Sequence, residues 1–498
     1  MTATRDTATA APVRPGAAPA APEARALPVL GSVLDFRKDI LDAMHQGWRD
    51  HGDLVRYRLG PVVVHGVSSP ELAGEVLTDS ATYGKLGPDN PLRLILGEGL
   101  LTSDDHESWM RNRRMMQPIY TKQAIAGMFD SMSESTADQV AHMAATYRSG
   151  DVVDVHEEMM RVTLDIVSRC MFSTDVEQTR DGISPEAVDV AINYAFDRLQ
   201  NPFSPPTRWP TPRNRRFQAV MKGIDEMTYG IIAERRRAAA DGVSRGDRVP
   251  DLLDMMLDVR DADTGEGMSD REVRDEVITT FGAGHETTAI TLTWAFYLLS
   301  GNRFALRRVQ EEVDEVLGDR MPTMADLAAM PYALQVFEEA LRLYPSAPIV
   351  PRLVRKDTVL GGHTVPAGSR VLVNLFNIHR HERHWDDPER FDPDRFSPEG
   401  RKGRHRFAHM PFGAGPHLCI GKHFALMEAH LLLAALVRRY EFRHVPAHRV
   451  VNQASITLRP RYGMSMTAHA RTGPSTLRKT QTQTQTQTQT QTQTRAQT

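Results

Sequence analysis

Ten residues constrain this chain more than any others: Phe412-Gly413-Ala414-Gly415-Pro416-His417-Leu418-Cys419-Ile420-Gly421. Three glycines and a proline exclude a regular helix or strand there, and they let the backbone fold tightly beneath a flat ligand. An apolar run of the kind that makes a buried helix follows, with Phe424, Ala425, Leu426, Met427, Leu431, Leu432 and Leu433. Cys419 therefore falls at or just before the first turn of that helix. Free N–H groups and the positive dipole end at such a place favour a thiolate. A thiolate in apolar surroundings, with backbone donors near its sulfur, suits an iron ligand. The plain alternative is a cysteine packed as a small hydrophobe, as most lone cysteines are.

The rest of the composition narrows the class. A chain of 498 residues holds one large enzyme domain or two or three smaller ones. Its 41% hydrophobic and 25% charged residues are ordinary for a globular protein. A net charge of −3 implies no polyanion, so no nucleic acid partner is expected. The two cysteines, Cys170 and Cys419, exclude a disulfide framework and a multi-cysteine zinc site, and a reducing compartment is expected. No apolar run reaches the ~18 residues of a membrane span. The N-terminus lacks the basic region and leucine-rich core of a secretory signal. Residues 1–28, rich in Ala, Pro and Thr, read as disordered, and 471–498, which carry a strict Gln-Thr alternation, read as a flexible tail. One large domain is expected over 29–470.

Within it, Leu54–Arg58 and Val62–His65 flank Leu59-Gly60-Pro61 and predict a β-hairpin. A short helix follows over 70–77. Residues 83–101 are mostly loop, apolar through Leu92, Leu94, Ile95, Leu96, Leu100 and Leu101. That loop lines a pocket or simply packs on the core. A helix over 105–116 carries Trp109 and Arg113 four residues apart, on one face. Residues 125–200 read as helices. Five prolines between Asn201 and Pro212 forbid a continuous helix there, leaving a mobile lid or a surface linker.

A helix of roughly 30 residues, and so ~45 Å long, is predicted over 270–300. Gly282-Ala283-Gly284-His285-Glu286-Thr287-Thr288 stands at its centre. A glycine inside a helix costs ~1 kcal/mol relative to alanine. Close approach of a flat ligand would explain two of them; a kink without chemistry is the alternative. Glu339 and Arg342 form an i, i+3 pair on a later helix, a spacing that alone marks only a surface ion pair. Arg352 leads a set of strands, with Ile349 and Val350 toward a pocket or core. Arg401, Lys402, Arg404, His405 and Arg406 make a basic run, by default a solvated surface.

Taken together these motifs resemble the cytochrome P450 family, in family order from about residue 29 to 470. The loop matches Phe-x-x-Gly-x-Arg/His-x-Cys-x-Gly at Phe412, Gly415, His417, Cys419 and Gly421. The long helix matches Ala-Gly-x-Glu/Asp-Thr-Thr at Ala283, Gly284, Glu286, Thr287 and Thr288. Trp-x-x-x-Arg falls on Trp109 and Arg113, and Glu-x-x-Arg on Glu339 and Arg342. Trp385 to Phe396 fit a longer frame that makes Arg395, rather than Arg390, the third member of a buried Glu–Arg–Arg set.

The resemblance implies one mainly α domain with a smaller β region, the cytochrome P450 fold. It implies haem b, with Cys419 as the metal ligand. Trp109, Arg113, Arg352 and His417 would bind haem carboxylates, and Phe412, Ala283 and Gly284 would contact the haem. Glu286 and Thr287 would organise proton delivery, and Arg395 would be structural. The charge of His417, where the family more often has arginine, is left open. The reaction implied is insertion of one oxygen atom from O2 into a hydrophobic small molecule such as a terpene, fatty acid or polyketide. Electrons would come from a separate ferredoxin or flavodoxin with an NAD(P)H reductase, since no flavin or iron–sulfur region follows residue 470. The basic run would then be a docking patch for an acidic donor. The setting implied is the bacterial cytoplasm and specialised metabolism. A peroxide-using enzyme of the same fold and a haem-based sensor are the alternatives; the Glu286–Thr287 pair and the lack of a signalling domain argue against each in turn.

Overall fold

The computed structural model describes residues 18–87, 90–173, 185–200, 204–243 and 249–471. It is mostly helical, with small sheets at one side. The helices that position the site are α1 (Pro70–Thr78), α2 (His106–Met116), α3 (Val155–Phe172), α4 (Pro212–Ala240), α5 (Asp270–Gly301), α6 (Pro331–Leu343) and α7 (Lys422–Arg439). One contiguous apolar core joins α3, α5, α6 and α7. Helix α5 runs through it for 32 residues. Ser269 caps its start, accepting from the Glu272 N–H while Glu272 accepts from the Ser269 N–H, so two of its orphan donors are satisfied locally. Its second half is fully buried through Ile290, Leu292, Trp294 and Phe296.

The principal sheet holds β1 (Leu54–Leu59), β2 (Val62–Val67), β3 (Tyr83–Gly84), β4 (Ile349–Val354) and β5 (Arg370–Asn374) in the order β1-β2-β5-β4-β3. Only β2 and β5 pair in parallel; Arg352 of β4 lies opposite Val371 of β5. A second hairpin, β6 (Asn452–Ala454) and β7 (Leu458–Pro460), is antiparallel, with Gln453 opposite Arg459.

The expected β-hairpin, the helix after it, the helix carrying Trp109 and the long helix all stand near their expected bounds. The N-terminal boundary needs correction. Residues 1–17 lie outside the described residues, but 18–28 are laid along the sheet. The Ala24 N–H donates to the Arg56 carbonyl and the Arg56 N–H to the Pro22 carbonyl, both near 2.9 Å, and Ala21 is buried. Backbone pairing with an exposed strand edge orders a segment whose side chains carry no hydrophobic period. The expected tail lies outside the described residues from 472 onward. Among the described residues, no helix is long and apolar enough to cross a membrane.

Candidate active site

The Cys419 loop is built by its own backbone. The Cys419 N–H donates to the Phe412 carbonyl at 2.9 Å and the Gly413 N–H to the Met410 carbonyl at 2.9 Å, closing the loop on itself. Gly415 has φ +68°, and a Cβ there would stand 2.1 Å from the Leu77 carbonyl oxygen of α1, so only glycine fits. Cys419 is exposed, yet burial pushes its thiol above its ordinary value. Both hold for a sulfur that lines a space enclosed by the protein. The Gly421 N–H, Arg113 and Lys422 act in the opposite direction. The helix-end effect expected from sequence is thus present, but dehydration outweighs it in the isolated thiol. A bound metal cation would supply the missing stabilisation of the thiolate.

Helix α5 presents a broken face to the interior. Ala283 is exposed, and Gly282, Glu286 and Thr287 half-buried, in a stretch that also holds the buried Phe281, His285 and Thr288. A cavity against mid-helix explains exposure at that depth. The Thr287 hydroxyl donates to the Ala283 carbonyl at 2.8 Å, one turn back, which leaves its lone pairs directed away from the helix. Glu286 accepts a 2.8 Å hydrogen bond from the Thr457 hydroxyl, at the tip of the β6–β7 hairpin.

A Cβ at Gly284 would press on Val167 of α3 at 3.3 Å, so this glycine allows close packing between α5 and α3. A Cβ at Gly282 would meet nothing within 4 Å.

Basic groups gather beside the loop without carboxylate partners. Arg352, on β4, is 7% exposed; its Nη1 donates to the Pro351 carbonyl, and its Nε has no partner among the described residues. Burial pushes its pKa down to about 10. Arg113 is half-buried and makes no ion pair among the described residues, and burial pushes its pKa below the ordinary arginine value. His417 has a buried Nδ1 without a partner. Burial, then Lys85, Arg352 and Arg113, push its pKa down to about 3, so the charge left open by the sequence is absent at neutral pH.

The sequence reading missed Lys85. Its Nζ donates to the Leu100 carbonyl and lies 5.0 Å from the centre of the Trp109 ring. Burial first, then Arg352, push its pKa down to about 7. Its place in a Gly- and Pro-rich loop gave no periodic signal. Trp109 departs from expectation too: its indole N–H donates to the Leu100 carbonyl at 3.1 Å, and its ring packs edge-on against His417 at 4.2 Å. The tryptophan braces the site instead of pointing a donor into it.

Behind the loop, Arg342 and Glu339 are fully buried and doubly hydrogen-bonded, at 2.6 and 2.7 Å. Arg342 also donates to the carbonyls of His379, Pro388 and Arg390. The Arg395 Nε stands 3.6 Å from Glu339, whereas Arg390 contributes only its carbonyl, as the longer frame implied. The basic run is thinner than its sequence. Arg401 pairs with Glu338, and Arg404 lies over Trp385 and Phe396 while capping the carbonyls of Arg395 and Gly400. Lys402 and Arg406 remain exposed.

The chain matches the model of the family described as Cytochrome P450 over residues 21–464. It is 36% identical over 422 residues to cyclooctatin synthase of Streptomyces melanosporofaciens, covering 84% of this chain and 87% of that one. It is 34% identical over 398 residues to cyclooctat-9-en-7-ol 5-monooxygenase of the same organism, covering 80% and 84%. A crystal structure of the cytochrome P450DA heme domain superposes with a TM-score of 0.82 at 28% identity, over 91% of this chain and 98% of that one. The residues described fit the haem that such proteins hold. An inward-facing sulfur suits a metal at the centre of a flat ring. The unpartnered nitrogens of Arg352 and His417, with Arg113 and Lys85, suit two carboxylates at its edge.

Proposed function

The chain belongs to the cytochrome P450 family and is a monooxygenase, and from that premise we propose the roles of its residues and the class of its substrate. Cys419 ligates the iron of haem b, Arg113, Arg352, Lys85 and His417 bind the haem carboxylates, and Ala283 and Phe412 contact its faces. Bound haem supplies the activation of O2. The chain supplies orientation, exclusion of water and protons. Thr287 holds its hydroxyl toward the cavity through the bond to Ala283, and Glu286 is the acid beside it that exchanges protons with water. Two observations carry this reading: an enclosed cysteine sulfur, and a long helix opened at Ala283 and Thr287.

The substrate is a terpene or terpene alcohol, a hydrocarbon skeleton with few polar groups. Its support is the relative named for a 5-monooxygenation of cyclooctat-9-en-7-ol. Electrons come from a separate acidic iron–sulfur or flavin protein, docking at Lys402 and Arg406. The setting is the cytoplasm, in keeping with two unpaired cysteines.

The test compares turnover of a terpene panel with O2, a ferredoxin and its reductase against turnover with H2O2 alone. The O2 system is expected to give oxygenated product and the absorption band of the reduced, carbon monoxide-treated protein to mark thiolate ligation. Product from H2O2 alone, with none from O2, overturns the reading. Thr287→Ala is expected to keep the band and consume electrons with little product; full coupling in that variant removes Thr287 from proton delivery.

A further inference from the structure

We propose that Thr457 is a positioning residue for Glu286, holding the carboxylate from outside its own helix. This rests on the role given to Glu286 above. Thr457 is 171 positions from Glu286 in sequence, is 6% exposed, and donates to Glu286 Oε1 at 2.8 Å.

The donor is fixed on every side. Its own carbonyl accepts from the Ser455 N–H at 2.9 Å, and its N–H faces the Ser455 hydroxyl at 3.4 Å. Leu458, next in sequence, is fully buried. Its N–H donates to the Ser346 carbonyl at 2.9 Å and its carbonyl accepts from the Trp294 indole N–H at 2.9 Å. Ser346 returns to the long helix through a hydroxyl contact with Thr291, also 2.9 Å. Glu286 and Trp294 are eight residues apart on α5, so the hairpin tip is tied to one face of that helix at two levels.

A glutamate has three side-chain torsions and, on a half-buried helix face, several positions for its carboxylate. One hydrogen bond from a rigidly seated hydroxyl selects among them. Threonine suits this better than serine, because its branched β-carbon restricts χ1 and so aims the hydroxyl. Nothing on α5 itself supplies that restraint: among the bonds Glu286 makes through its side chain, the described partner is Thr457. Thr287, one residue on, has its hydroxyl fixed by the helix carbonyl at Ala283. The acid and the alcohol are therefore aimed by different parts of the fold.

The experiment compares Thr457→Val, Thr457→Ser, Thr457→Ala, Glu286→Gln and the Thr457→Val/Glu286→Gln pair in the haem-loaded enzyme with its electron donor. Thr457→Val keeps the shape and removes the donor. Its product per NAD(P)H is expected to fall at least threefold, with a larger solvent isotope effect on turnover. Haem content, the carbon monoxide band and the spectral Kd of the substrate should stay at wild-type values. Thr457→Ser should recover at least half of the loss, and the pair should be no worse than its more severe single change. Independently of turnover, amide exchange at residues 455–458 in the resting protein should quicken several-fold in Thr457→Val and much less in Glu286→Gln, whose amide oxygen still accepts from Thr457. If Thr457→Val loads haem poorly, Thr457→Ala is the donor-free variant on which the same values are read. Wild-type coupling or unchanged exchange in the donor-free variant overturns the proposal, as does Thr457→Ser behaving like Thr457→Val. If Glu286→Gln itself leaves coupling intact, the role of Glu286 falls instead.

Discussion

Two buried arginines divide this molecule into finished and unfinished parts. Arg342 uses all five of its N–H donors inside the chain, two on Glu339 and three on the carbonyls of His379, Pro388 and Arg390. Arg352 is nearly as deep, yet it donates once, to its neighbour's carbonyl, and its Nε has no partner among the described residues. Burial costs both alike. Where the chain completes the hydrogen bonds, the charge fixes the scaffold that seats the Cys419 loop. Where it does not, the charge is suited to a partner of another kind. Completeness of partners, rather than depth, separates structure from site here.

The largest effect expected is on the finished side. Arg342→Ala leaves the buried Glu339 carboxylate with only the longer 3.6 Å approach of Arg395 as counter-charge, and three carbonyls without donors. Loss of one partner of a buried pair costs roughly 3–5 kcal/mol, a large share of the stability of a typical domain. The variant should accumulate as insoluble protein. Arg342→Lys should not rescue it, because an ammonium cannot reach five acceptors in a plane. Soluble yield and urea unfolding report the outcome, and a soluble, haem-loaded Arg342→Lys would break the comparison.

The next effect is on the unfinished side. Arg352→Ala should fold, since it removes a buried charge that the chain itself leaves unpaired. It should then lose haem at least tenfold faster to a haem acceptor such as apomyoglobin, with Arg352→Lys between the two. Unfolding of Arg352→Ala to the same degree as Arg342→Ala would show that both are scaffold.

This division also decides what the sequence made legible. Cys419, Glu286 and Thr287 could be placed because close sequence spacing carries their motif. The Glu339–Arg342 pair and the choice of Arg395 followed from a frame of fixed residues, and the 3.6 Å approach of Arg395 to Glu339 agrees with it. Lys85 and Thr457 could not be found, because each acts through a partner that only the tertiary fold brings near. The direction of the Trp109 indole and of the bare face of Gly284 was hidden for a related reason. Their residue numbers were legible, but the rotation of each helix about its axis, which turns one toward Leu100 and the other toward Val167, is set by packing. The ordering of residues 18–28 depends on a strand edge that their own side chains do not announce.

The smallest effect expected lies on the border of the two parts. Glu276 of α5 accepts from the Leu100 N–H at 2.9 Å, and the Leu100 carbonyl accepts from Lys85 and from Trp109, so the two peptide groups flanking one residue join the long helix to the cation cluster. Burial pushes the Glu276 carboxyl up to about 8, against 4.5 for an ordinary glutamate. Between those values the folded protein holds a proton that the unfolded chain has released. Stability therefore falls as pH rises from 4.5 toward 8, by up to ~1.4 kcal/mol for each pH unit, and levels off above. Lys85, lowered to about 7 from 10.5, works in the opposite sense above pH 7, where the unfolded chain binds the extra proton. Between pH 5 and 7 it is the comparison with a variant that isolates Glu276, because His417, lowered to about 3 from 6.5, opposes it there in both proteins. Glu276→Gln keeps an acceptor for the Leu100 N–H and cannot ionise, so its unfolding free energy should decline less than that of the wild type across that window. Urea titrations at pH 5, 6 and 7 measure the difference. Parallel declines would mean that Glu276 is charged in the folded protein and that these peptides belong to the finished side.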